Sequence, residues 1–122
     1  MTTKREIVYA ALEELGLGVY AFDPSADELS AALKRLDRLA AQWESIGIRL
    51  GYLMPSTPDG SDLDDESGLP DTAIAAYAAN LALSIAPTVG KTVQPQTFKS
   101  AKDGYNSLHV ISTDQRVSGG AA

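Results

Sequence analysis

Read from its residues, the chain is mainly α-helical: a small four-helix bundle with a short extended segment or hairpin and a long acidic loop between helices two and three. Three observations predict this class. Apolar residues recur at steps of three and four in four separate windows, the spacing that lines one face of a helix. Two S/T-x-x-E boxes, Thr3 with Glu6 and Ser25 with Glu28, stand at the head of the first two windows. One stretch alone, IRLGYLMP, alternates in the manner of a strand. A chain of 122 residues fits one domain, and its 44% hydrophobic and 21% charged content is ordinary for a globular protein. Class is bounded by these figures; function is not.

The first helix is expected over roughly 4–15, with Ile7, Val8, Ala11, Leu12 and Leu15 on its buried face and Gly16 at its end. A connector, LGVYAFDPS, follows, in which Tyr20 and Phe22 are expected to fold back onto the core. Helix two runs to about Ile46, and Leu29, Ala32, Leu36, Leu39, Trp43 and Ile46 form a narrow seam. PSTPDGSDLDDESG then makes a loop of about fifteen residues, long for a compact domain and the least generic part of the chain. Helix three opens at Leu69–Pro70. Ile74, Tyr77, Ala78, Leu81 and Ile85 line one side, and alanines cover much of the rest. A helix apolar nearly all round is a central one. Pro95 begins helix four, with Phe98, Ala101, Tyr105 and Leu108 expected inward and Gly104 costing about 1 kcal/mol relative to alanine. The remaining TDQRVSGGAA is too polar to fold alone. The expected division is a helical domain over 1–110 and a flexible C-terminal tail over 111–122.

The net charge of −6 is unevenly placed, because residues 51–90 carry Asp59, Asp62, Asp64, Asp65, Glu66 and Asp71 and no Lys or Arg. A protein that grips DNA by neutralising phosphates needs a basic face, and the one cluster on offer is Lys34, Arg35 and Arg38 on helix two. Cysteine is absent, which excludes disulfides and thiolate metal sites. No uninterrupted apolar run approaches the ~18 residues of a membrane span, and the N-terminus lacks a leader pattern, so synthesis in the cytoplasm and no membrane partner are expected.

Tests for chemistry return little. An EF-hand frame starting at Asp62 puts Ser67 where the turn requires glycine and no glutamate at position twelve. Glu13 with Glu14, or Asp64 with Glu66, are adjacent or loop-borne, whereas glycoside hydrolysis needs two carboxylates ~5–10 Å apart across a cleft. His109 is the sole histidine and sits in no nucleophile or zinc pattern. No phosphate-cradling glycine spacing is present. Neither catalytic residue, metal nor cofactor is assigned. The cations of helix two and the acids Asp62, Asp64, Asp65 and Glu66 could instead meet between copies, head to tail, and close a ring.

Taken in order, four blocks resemble a family. REIVYAALEELGL, LSAALKRLDRLAAQWESIGIRLGY, the acidic loop running into AIAAYAANLALSIAP, and SAKDGYNSL are similar to the head-to-tail adaptor proteins of tailed bacteriophages. The similarity is greatest to the tail accessory factors, or packaged-DNA stabilisation proteins, of short-tailed phages. It covers about residues 4–108. What it implies is a virion neck component whose copies, twelve in number, form a ring under the portal protein. That ring would extend the DNA channel, help retain the packaged genome and offer a platform to the next tail protein. Twelve chains at −6 each carry about −72, which repels passing phosphate rather than holding it. Members commonly reach the portal with a longer C-terminal extension; here Ile111 to Ala122, with Ile111 and Arg116 as candidate contacts, would serve. Two rival readings are a cell-wall-degrading tail enzyme using the acidic residues and a DNA-binding regulator using the basic cluster.

Overall fold

A computed structural model describes residues 2–16, 24–57 and 60–120, with backbone alone at Val89 and 111–120. Four α-helices are present among the described residues: α1 (Lys4–Glu14), α2 (Ala26–Ser45), α3 (Asp71–Ile85) and α4 (Pro95–Gly120), with a 3₁₀ turn at Ala86–Val89. Cross-helix contacts fix their directions. Lys4 meets Asp37, Arg35 meets Ser84, and Asn80 meets Ala101, so each helix runs antiparallel to its predecessor.

α3 is the axis of the bundle and packs against α1, α2 and α4. Its alanines Ala73, Ala76, Ala78, Ala79 and Ala82 are buried, as are Tyr77, Leu81 and Ile85. Trp43 is core too: its ring meets Tyr77 edge-on at 4.7 Å and Tyr105 at 5.6 Å. The box at the head of α2 is complete, with Ser25 Oγ accepting from the Glu28 amide and Glu28 Oε1 from the Ser25 amide. At α1 only half of it forms, Thr3 accepting from Glu6.

Several sequence expectations shift. Ile46, placed on the α2 seam, is 46% exposed beyond the last helical turn. Phe98, placed inward, is 55% exposed, while Thr97 is buried and donates its hydroxyl to Glu14. The inward residues of α4 are therefore Thr97, Ala101, Leu108 and, partly buried against Trp43, Tyr105, one residue off at the start, where the polar contact of Thr97 with α1 is what turns inward. The segment after α2 is extended without being a strand. Ile48 is buried, the Leu53 amide donates to the Ser67 carbonyl, and the one bridge among the described residues pairs Thr3 with Glu66. The backbone of α4 is helical to Gly120. Tyr20 and Phe22 lie outside the described residues.

Candidate interaction surfaces and the buried ion pair

The acidic loop is built into the fold through its backbone. Helix α1 leaves its first amides without intrahelical partners. The Asp65 carbonyl accepts from the Lys4 amide at 3.0 Å, and the Leu63 carbonyl from the Arg5 amide at 2.8 Å. Farther along, the Ser67 amide donates to the Thr2 carbonyl at 3.0 Å. Within the loop Asp62 Oδ1 accepts from the Asp64 amide, and Asp65 Oδ2 accepts from the Asp62 amide. Asp64 also accepts from Arg5 Nε, a hydrogen bond that raises the Arg5 pKa. Four carboxylates, Asp62, Asp64, Asp65 and Glu66, are thus exposed at the positive end of a helix dipole, where negative charge is favoured. Asp59 lies outside the described residues.

Two glycines let the loop close. Gly51 has φ +95° and Gly68 φ +77°, and each lies with its Cβ position against the other's carbonyl oxygen, so closely that a Cβ on Gly68 would collide with the Gly51 oxygen. The acidic loop is therefore threaded directly against the extended segment.

Beneath it lies a polar cluster that the sequence reading did not single out. Lys4 is 1% exposed, and its Nζ donates to Asp37 Oδ1 at 3.3 Å and to Ser61 Oγ at 2.9 Å. It also lies 4.9 Å from the centre of the Tyr52 ring. Tyr52 donates its hydroxyl to the same Asp37 oxygen at 2.5 Å. One buried ion pair so joins α1, α2, the extended segment and the acidic loop. Burial first, then the bond to Asp37, pushes the Tyr52 pKa far above its ordinary 10.0. Burial also lifts Tyr77 to about 12, with the Glu44 charge adding to it.

Both tyrosines bind their protons more tightly folded than unfolded, so their stabilisation is complete below pH 10 and is lost as pH rises past it. For Tyr77 the window is 10.0 to about 12; Tyr52 extends it upward. A spectrophotometric titration should show two phenols out of five that ionise only as the helical circular dichroism collapses above pH 10. Five phenols titrating together near pH 10 with the fold intact would refute this.

The basic cluster divides. Arg35 is turned inward and donates from one guanidinium nitrogen to the Ser84 carbonyl at 3.1 Å and hydroxyl at 3.2 Å. Lys34 and Arg38 line a cleft with Asp37, Met54 and Thr57. Asp37, which lines that cleft with Lys34 and Arg38, is linked through Lys4 to Ser61 of the acidic loop. Basic residues and acidic loop therefore lie on the same side of the molecule. Ile111 and Arg116 fall in the last turns of α4, where the backbone alone is described.

Among the described residues no group of three or more His, Cys, Asp or Glu side chains is arranged to hold a metal ion. No helix there is long and apolar enough to cross a membrane. The family model of the P22 tail accessory factor matches residues 1–118, which takes in α1 to α3 and all but the end of α4. The chain belongs to this family. A P22 tail accessory factor is a bacteriophage structural component, and this member is accordingly a protein of the virion. Its folded body is the α1–α4 bundle, and its exposed carboxylates sit on an ordered turn of that body.

Proposed function

We propose that this tail accessory factor is a head-to-tail adaptor in the virion neck. Twelve copies form a ring beneath the portal protein, extend the DNA channel, help retain the packaged genome and present a platform to the next tail protein. The observation that carries the reading is the family match across residues 1–118, borne on a compact helical body. Charge agrees with it: a ring of chains at −6 each lets phosphate pass without adhesion. Synthesis takes place in the host cytoplasm, and the end of α4, with Ile111 and Arg116, is the segment proposed to meet the portal.

Neither rival reading gains a specific support. The loop carboxylates are exposed, with Asp62 and Asp65 bonded into their own turn and Asp64 to Arg5, and Arg35 is withdrawn from the basic cluster by Ser84. Purified protein mixed with portal rings from the same phage is expected to co-sediment with them and to add ring density in electron micrographs. Failure to co-sediment at any ratio would overturn the proposal.

A further inference from the structure

A groove of about 670 Å³ runs between α1 and α3, lined by Ala10, Ile74, Ala75 and Ala78 and by the acids Glu13, Glu14 and Asp71. No residue of α2 lines it. Helix α1 turns Leu12 toward α2, where it shares a separate cleft with Ala32 and Arg35, and turns Ala10 and Glu14 to the groove. On the opposite flank, Lys34, Arg38 and Ala41 occupy ~60° of the α2 helical wheel, roughly opposite the buried Leu36. With the exposed Met54 they border a second cleft, of about 530 Å³. The molecule thus carries an acid-edged groove on one flank and a basic, partly apolar face on the other.

From this we infer that neighbouring copies associate head to tail, the α2 face of one copy seated in the α1/α3 groove of the next. Two different complementary surfaces on opposite flanks give a heterologous contact, the kind that closes into a ring. Three alanines beside Ile74 let a helix approach closely, because interaxial distance is set by the side chains at the crossing. Carboxylates facing Lys34 and Arg38 fix the register and disfavour groove-to-groove pairing. The acidic loop suits this role less well: it lies on the α2 side through Lys4, and adjacent opposite charges favour a two-fold pair that stops at a dimer. This assignment rests on the proposed ring, to which it adds the contact surfaces.

The absence of cysteine makes the contact directly testable. Glu13 and Arg38 are both exposed, so a chain carrying Glu13→Cys and Arg38→Cys adds one thiol to each flank. Oxidised on portal rings, it should give a non-reducing ladder of linked subunits up to the full ring, with neither single variant passing the dimer. Rings that form on the portal yet yield no ladder would overturn the assigned surfaces and leave the adaptor reading standing. Portal that recruits no protein at all, wild type included, would overturn the adaptor reading and this contact with it. In the same assay Lys34→Glu with Arg38→Glu should lower ring occupancy at least tenfold, and adding Glu13→Lys and Asp71→Lys to that chain should recover it. Undiminished occupancy of the first variant also overturns the assignment.

Discussion

Replacing Asp37 by alanine is expected to lower the unfolding free energy by about 3–5 kcal/mol, the cost of leaving one member of a buried ion pair without the other. Lys4 Nζ, 1% exposed, would keep only Ser61 Oγ and the face of Tyr52, and the Tyr52 hydroxyl would lose its acceptor. In a domain of this size that loss lowers the thermal midpoint by roughly 10–20 °C. Removing both charges is a different experiment. Lys4→Met combined with Asp37→Leu leaves no unpaired ion, and desolvation of the original pair offsets much of its attraction, so the double variant should lose less than Asp37→Ala alone. Chemical denaturation of wild type, both single variants and the double closes the cycle. A loss below 1 kcal/mol for Asp37→Ala would show that water reaches Lys4.

This network was only half legible in the sequence. Lys4 reads locally as a first-turn cation next to Arg5, and its partner lies 33 positions away. Nothing local announces such a pairing. A signal did exist in the spacing. Asp37 stands four residues after Leu33 and three before Ala40, on the buried stripe of α2, and Lys4 stands four before Val8 and seven before Ala11 on that of α1. A charged residue at stripe spacing on each of two helices is the pattern of a buried pair, because neither can be buried at low cost without the other. The acidic loop was likewise read as the interaction surface for its charge, whereas much of what it contributes to the fold runs through its backbone carbonyls onto α1, which composition does not encode.

Helix positions were legible, since caps and periodicity are local: Thr3, Ser25, Pro70 and Pro95 mark the four starts. Faces were less so wherever hydrophobicity and packing geometry compete. Spacing with Ala101, Tyr105 and Leu108 places Phe98 inside, yet it is 55% exposed and its neighbour Thr97 is the buried residue, donating to Glu14 of α1. Ile46 was carried along the α2 seam by spacing alone, but the helix has ended before it and the chain turns through Gly47 toward the buried Ile48. The two corrections differ in origin. A step of three or four places a residue on a face but says neither where the helix ends nor how large a side chain the facing helix accepts.

That same constraint governs Gly104, where substitution by alanine is expected to destabilise despite improving helix propensity. Read as a helical residue alone, Gly104→Ala gains about 1 kcal/mol. The fold reverses the sign. A Cβ at this position would lie 2.7 Å from Ala76 Cβ and 3.0 Å from Ala76 Cα, inside contact distance of the central helix. The crossing cannot slide to relieve it, because Asn80 spans α3 and α4 by donating to the Ala76 carbonyl at 2.8 Å and the Ala101 carbonyl at 3.0 Å. Overpacking of this kind costs about 1–3 kcal/mol, enough to cancel the propensity gain and exceed it. Gly104→Leu should cost more, since the added atoms have nowhere to go. Removing the obstructing methyl tests the cause: Ala76→Gly, which weakens α3 by itself, should cost less in the Gly104→Ala background than in the wild type. Urea midpoints of the four proteins measure that coupling. Additive effects, or a Gly104→Ala variant more stable than wild type, would show that α3 and α4 cross farther apart than their small side chains allow.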